Sequence, residues 1–467
     1  MTRTRRVSSP HTQRAARRHA TARRRTTLGI SAAAATALLA LSACGGSSGS
    51  STTASTHRLP AGCTKGATQI TFWGWAPGYQ QVVNEFNKTH PSICVSLENN
   101  GAAINEYTKL TAALHAGSGT PDVAEVEYLE LPSLEITHSL VNLVPYGVNA
   151  YRSDIVPFAW DQVSQGGAVY SMPGDIGPMA FYYNSKLLSK YHITPPTTWA
   201  QFATDAAKLH HADPSAYLAN FDPVETQWLY SLMQEAGCFP FRYSGGKDVT
   251  IDFTGPAQMA FASYWQKLIS AKEINHTSDF SPVFWHNLDN SVDASWLSAA
   301  WSPADMAPNV KQTVGDWRAA TLPQESAGQD LAGSWGGSTF AVVKGTAHPK
   351  QAAEFAEWYG GTLASWKILN SPAAGAFPGY KPLLDSSQLK SATIPLSGHS
   401  TPNPVFVSTA AHVVAIQWPP FMTEALTEGA SVFAGVLNGT ETVPAAFRAY
   451  QSALVKYAQA QGFTVTH

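Results

Sequence analysis

Glu125 and Glu127 stand two residues apart in Asp122-Val123-Ala124-Glu125-Val126-Glu127. An extended strand there turns both carboxylates to one face. Two carboxyl groups about 5–9 Å apart across a glycosidic bond can act as an acid and a base or nucleophile. The same groups, without that separation, can simply accept hydrogen bonds from hydroxyls. Trp73 and Trp75 close the apolar run Ile70-Thr71-Phe72-Trp73, and planar rings at the carboxyl end of a strand suit stacking on a ligand. Other chemistries lack their patterns. Neither Cys-x-x-Cys nor His-Glu-x-x-His occurs, and His210-His211-Ala212-Asp213 reads as a solvated helix end, so neither a metal nor a cofactor is expected. Gly45-Gly46-Ser47-Ser48-Gly49 matches the hydrolase elbow only formally, since it lies in linker composition.

The elements that must position these groups follow in order. Ile70–Trp73 reads as a strand, Tyr79–Phe86 has Val82, Val83 and Phe86 at helical spacing, and Ile93, Val95 and Leu97 alternate as a strand. Strand, helix, strand predicts an α/β fold with a mostly parallel sheet. Tyr107–Ala116 reads as a helix stopped by Gly117-Ser118-Gly119, followed by a buried strand from Asp122. Thr198-Trp199-Ala200-Gln201 has capping-box form, with Trp199, Phe202, Ala206 and Leu209 on one helical face. Pro349 opens a helix that Gly360-Gly361 ends.

The start of the chain carries an address. Nine arginines and no acidic residue precede a 14-residue apolar run, Leu28–Leu41, then Leu41-Ser42-Ala43-Cys44. The run is short of the roughly 20 residues that span a bilayer, so residues 1–43 read as a cleavable export signal. The segment before Cys44 resembles a bacterial lipobox, which predicts lipidation of Cys44 and anchoring at the outer face of the cell membrane. Arg24-Arg25-Thr26-Thr27-Leu28 also resembles a twin-arginine signal, leaving the export route open between the two pathways. Residues 44–66 predict a lipidated tether spanning about 25 Å. Without the nine arginines, twenty-one basic side chains face thirty-two acidic ones, a balance of −11. Such a surface repels phosphate backbones and excludes nucleic acid as a partner. Outside the cytoplasm Cys63 and Cys94, flanking neighbouring strands, are the natural disulfide candidates, which would leave Cys238 free; with three cysteines the count alone leaves the pairing open.

Four passages identify a family resemblance. They are Ile70–Trp75 with Phe86-Asn87-Lys88 and Pro91; Gly119-Thr120-Pro121-Asp122-Val123 with Leu143-Val144-Pro145-Tyr146; Tyr170-Ser171-Met172-Pro173 through Tyr182-Tyr183-Asn184 and Pro195–Trp199; and Gly336-Gly337 before Phe340-Ala341-Val342 and Ala352–Trp358. In order and spacing they resemble the extracellular solute-binding proteins of ATP-driven importers, in the branch of maltose- and oligosaccharide-binding proteins. The resemblance implies two α/β lobes joined by several crossing strands, with a ligand cleft between them. It divides the chain into 67–161 with 335–385, and 162–334 with 386–467. It implies a monomeric, non-enzymatic receptor that closes on a mono- or oligosaccharide and delivers it to a membrane permease. By matching positions it assigns ligand contact to Trp75, Glu127, Tyr128, Asp175, Asp222, Trp301, Trp335, Gly336, Gly337 and Trp418. Val224 stands where maltose-binding proteins carry an aromatic, which argues against a maltodextrin. Two other readings compete: a polyamine, peptide or other small solute as cargo, with neutral sugar favoured, and a secreted carbohydrate-active enzyme using Glu125 with Glu127, or Asp175 with Glu127.

Overall fold

The computed structural model describes residues 59–371 and 374–466. The export signal and Cys44 lie outside the described residues. Residues 58–467 form a compact unit, built as two lobes.

The first lobe is organised by a five-stranded sheet. Strand Thr68–Trp73 lies between Ile93–Glu98 and Val123–Glu127, parallel to both. The connections are the helices Tyr79–Thr89 and Ile104–Ala116, so the expected strand–helix–strand unit forms. Val82, Val83 and Phe86 are buried as their spacing requires. Two later segments complete the sheet: Ser338–Val342 runs antiparallel to Val123–Glu127, and Met172–Pro173 pairs antiparallel with Ser338–Val342. Residues 172–173 therefore pair within the first sheet, although the sequence division at 161/162 puts them with the second lobe.

The second lobe holds Met179–Asn184 between Ser295–Ala299 and Trp317–Ala320, all antiparallel. A smaller sheet of Phe241–Tyr243, Asp248–Ile251 and Thr464–Thr466 packs with the C-terminal helices. Helix Trp199–Ala212 begins where expected: Thr198 Oγ1 accepts from Gln201 N–H at 3.1 Å. Gln201 reaches back to Thr197 N–H at 3.0 Å, one residue before the usual capping-box partner.

Three chain segments pass side by side between the two main sheets. Trp335 N–H donates to the Gly177 carbonyl at 2.8 Å, Ile176 N–H to Phe377 at 2.8 Å, and Gly379 N–H to Gly174 at 3.1 Å. At the point of closest approach only glycine fits: a Cβ on Gly177 would stand 1.8 Å from the Trp335 carbonyl oxygen.

Cys63 and Cys94 are joined, with Cα atoms 5.1 Å apart, and Cys238 is free and buried. The bond shortens the tether drawn from the sequence. Asn87 also donates to the Ala61 carbonyl at 3.2 Å, so residues 61–63 are fastened to the helix and strand that follow. Removing the cross-link frees a loop of 31 residues, worth about 2–4 kcal/mol in the unfolded chain. The double substitution C63S/C94S is expected to lower the urea midpoint accordingly; an unchanged midpoint would contradict a stabilising bond.

Candidate functional site

The first strand ends at Trp73, and its two candidate tryptophans part there. Trp73 is buried, with Lys109 Nζ 4.1 Å from its ring centre, and belongs to the lobe's core. Trp75 is half-buried and turns its ring edge-on to Tyr107, centroids 5.9 Å apart. Its backbone is held by Glu125, whose Oε2 accepts from Trp75 N–H at 2.8 Å while Oε1 accepts from the Tyr79 hydroxyl at 2.7 Å. Glu125 is 1 % exposed. Burial pushes its carboxyl up to about 8, against the lowering effect of those two hydrogen bonds. It positions Trp75 and has no free face for a ligand.

Glu127 shares that face of the strand but lies at its open end. It accepts from the Tyr107 hydroxyl at 3.0 Å, and Gln227 of the second lobe comes within 3.4 Å of its other oxygen. Strand register then brings the crossing segments to it. Ser338 pairs with Glu127 and Thr339 with Pro173, so Gly336, Gly337 and Asp175 meet beside Glu127 and Tyr128. Ser338 N–H donates to Asp175 Oδ1 at 3.0 Å. Gly336 and Gly337 have φ of +76° and +105°, and a Cβ on Gly337 would approach the Asp175 carbonyl to 2.8 Å and the Tyr128 ring to 3.0 Å. Glycine is required for that close approach. Tyr128 is 4 % exposed, with its hydroxyl near the Gly174 backbone.

The second lobe contributes an aromatic wall. Trp301 Nε1 donates to the Trp335 carbonyl at 2.8 Å, and the two rings lie 4.7 Å apart at 66°. Phe280 stacks on Trp301 with centroids 6.3 Å apart, remains 40 % exposed, and holds a left-handed φ of +62°. Glu225 stands beside the Trp335 side chain. Sequence reasoning missed Glu225, Phe280, Tyr107 and Gln227. Glu225 carried a faint signal, lying three residues beyond Asp222 in a segment already singled out; Phe280 carried none.

Two assigned residues take other roles. Asp222 is 2 % exposed and closes a turn, accepting from Val224 N–H at 2.9 Å and Asp279 N–H at 2.8 Å. It thereby sets the loops that carry Glu225 and Phe280. Trp418 is 9 % exposed, packs on Tyr230 and Phe241, and donates to Gln162 Oε1 at 2.8 Å. Its ring is core. Among the described residues no group of three or more His, Cys, Asp or Glu side chains is placed to hold a metal ion.

Burial raises every carboxyl of the cleft: Asp175 to about 6, Glu225 to about 7 and Glu125 to about 8, from ordinary values of 3.8 for Asp and 4.5 for Glu. Neighbouring carboxylates add to the shift, Glu127 acting on Asp175, and Asp222 and Glu127 acting on Glu225. Below the ordinary values both folded and unfolded chains are protonated and these groups contribute no pH dependence. Between those values and about 6–8 the folded chain holds protons that unfolding releases, so stability falls as pH rises. Melting in the absence of ligand is expected to decline from pH 5 to pH 8; a midpoint that climbs over that range would contradict these environments.

Comparison with known proteins agrees with this architecture. Residues 74–362 match the family of bacterial extracellular solute-binding proteins. The arabinooligosaccharide-binding protein of Bacillus subtilis (strain 168) is 22% identical over 318 residues, 63% of this chain and 71% of that protein. An ABC transporter associated binding protein from B. animalis subsp. lactis Bl-04, solved in complex with β-1,6-galactobiose, superposes with a TM-score of 0.75. It is 30% identical, over 86% of this chain and 100% of that one. The galacto-N-biose-/lacto-N-biose I-binding protein of a Bifidobacterium longum ABC transporter gives the same TM-score at 23% identity, over 86% and 99% of the two chains, and shares the fold. With two lobes, three crossing segments and a matched span of 289 residues, the chain belongs to the bacterial extracellular solute-binding protein family.

Proposed function

We propose that this protein captures a mono- or oligosaccharide between its lobes and delivers it to the permease of an ATP-driven importer. The observation that carries this reading is the meeting, at the lobe crossings, of partly exposed aromatic faces with hydrogen-bonding carboxylates: Trp75 and Glu127 from the first lobe, Trp301 and Glu225 from the second, and Asp175 between them. Rings stack on the C–H faces of a sugar while carboxylates pair with its hydroxyls. The galactobiose complex of the 30%-identical protein supports a short oligosaccharide as cargo.

The assignment of lobes to 67–161 with 335–385 and to 162–334 with 386–467 is retained, moved so that residues 172–173 join the first. The protein acts as a monomer without enzymatic activity. Both Glu125 oxygens are taken by Trp75 and Tyr79, which leaves the Glu125–Glu127 pair without a free acid to protonate a leaving group. Cys44 carries the lipid that holds the protein at the outer face of the membrane. Closure follows from contacts made only when ligand bridges the lobes.

A thermal-shift screen against mono- and oligosaccharides tests the reading, since a ligand that binds only the folded state raises its apparent stability. β-1,6-Galactobiose, lactose and arabino-oligosaccharides are the first probes. A saturable rise with a sugar recovered unchanged is the expected result; release of smaller sugars would make the protein an enzyme, and no rise with any sugar would exclude carbohydrate cargo.

A further inference from the structure

We propose that the second lobe carries a phosphate-binding site, separate from the sugar cleft, in which the Arg318 guanidinium grips two phosphate oxygens and nearby serine and threonine hydroxyls take the others. The proposal goes beyond the carbohydrate-receptor reading and stands independently of it.

Arg318 lies in the strand Trp317–Ala320, where it pairs with Tyr183. One end of its guanidinium is fixed. Nη1 donates to the carbonyls of Gly315 at 2.8 Å, Trp317 at 2.7 Å and Ser397 at 3.0 Å, so the group ties the strand to the turn Pro395–Ser397. The other end is unused. Among the described residues neither Nη2 nor Nε donates to a protein atom, and the ion pairs, Lys88–Glu85, Lys109–Glu98 and Lys390–Asp385, do not include Arg318. A planar fork held in one orientation, with donors and a positive charge left over, matches a pair of oxygens on an anion.

Arg318 lines a cavity of about 330 Å³ together with Ser397, His399, Ser400, Thr401 and Pro402. No aspartate or glutamate lines it, although acidic side chains outnumber basic ones in the chain. None of the aromatic or acidic residues of the sugar cleft lines it either. Ser400 N–H donates to the Ser397 carbonyl at 3.0 Å, folding these residues into one wall. Pro402 directly precedes the helix Asn403–Ala410, whose free N–H groups add positive potential.

A second observation points to a ligand in the same place. Ser397 is 0 % exposed, and its Oγ has no hydrogen-bond partner. Its carbonyl serves Arg318 while its hydroxyl serves nothing. An anion seated against Arg318 supplies the missing acceptor. The donors also select the anion. A carboxylate has two oxygens, which the arginine fork uses up, whereas a tetrahedral phosphate held the same way keeps further oxygens for the hydroxyls of Ser397, Ser400 and Thr401. Inorganic phosphate and the phosphodiester of a lipid headgroup share this chemistry.

The purified protein is titrated at pH 7 with inorganic phosphate and with glycerophosphoglycerol, the soluble headgroup of phosphatidylglycerol, at an ionic strength held constant with sodium chloride. A saturable site is expected, with a rise in melting temperature. Tighter binding of inorganic phosphate identifies a free phosphate as the ligand and tighter binding of glycerophosphoglycerol a lipid headgroup; either supports the site. R318Q is expected to weaken binding about tenfold to a hundredfold, the range for hydrogen bonds to a charged group. Because Arg318 also ties strand to turn, S400A/T401A is the second variant, expected to weaken binding about threefold to tenfold. Saturable binding of neither probe would overturn the proposal, and so would acetate binding as tightly as phosphate or binding that both variants leave unchanged. Displacement of phosphate by a stabilising sugar would also overturn it, by placing the anion in the cleft.

Discussion

Replacing Trp301 by alanine is expected to weaken sugar binding by about a hundredfold, the scale of a buried aromatic anchor worth about 2–4 kcal/mol. The side chain does two things at once. Its half-buried ring stands on Trp335 and under Phe280, giving the second lobe a flat apolar surface at the crossing. Its Nε1 satisfies the Trp335 carbonyl, which fixes the segment leading into Gly336 and Gly337. Truncation removes the stacking surface and leaves that carbonyl without its donor. Phenylalanine keeps a ring and loses only the donor, so W301F is expected to stay within about tenfold of wild type, a neutral hydrogen bond being worth about 0.5–1.5 kcal/mol. Isothermal titration of both variants separates the two roles. W301A binding as tightly as wild type would remove Trp301 from the site.

The second large effect concerns the crossing rather than the ligand. Gly177→Ala would place a methyl carbon 1.8 Å from the Trp335 backbone oxygen, and backbone cannot move aside as a flexible side chain can. The two crossing segments must separate, breaking the hydrogen bond from Trp335 N–H to Gly177. Overpacking together with a lost buried hydrogen bond is expected to destabilise by about 3 kcal/mol or more. Because Trp335 moves with the break, Trp301 loses its acceptor, and the residual folded protein is expected to bind sugar poorly. Gly166 provides the control: its φ is +58°, but a Cβ there meets nothing within 4 Å, so alanine carries only the left-handed penalty of about 1–2 kcal/mol. Urea unfolding of both variants tests the difference, and a Gly177→Ala midpoint no lower than that of Gly166→Ala would contradict the packed crossing.

These expectations depend on features of unequal legibility in the sequence. Local periodicity sufficed for the strand Thr68–Trp73, the helix Tyr79–Thr89 and the cap at Thr198, because the physics that shapes them acts within a few residues. The Cys63–Cys94 pair was readable as a candidate because neighbouring strands bring the ends of that loop together, while three cysteines left the choice to the structure. Burial was not readable. Trp301 and Trp418 looked alike beside small residues and prolines, yet one stands half-exposed at the crossing while the other is enclosed by Tyr230 and Phe241.

Glu125 and Glu127 share a strand face, and only tertiary contacts from Tyr79 and Trp75 separate the positioning carboxylate from Glu127 at the strand's open end. Asp222 looked like a contact and proved to be a turn clasp, while Glu225, three residues on, stands in the cleft. Phe280 owes its place to a loop with left-handed φ anchored by Asp279, for which no short-range pattern exists. Strand register explains the rest. Pairing of Ser338 with Glu127 across 211 positions of sequence creates the meeting of Tyr128, Asp175 and Gly337.

The central claim is that one sugar is held at the crossing of the two lobes and released unchanged. Equilibrium titration of the wild-type protein with the sugar that stabilises it most, followed by chromatography of the recovered ligand, tests this most directly. The account predicts a single saturable site, lost in W301A, and a sugar recovered intact. Saturable binding that W301A leaves untouched, or recovery of cleaved sugar, would contradict it.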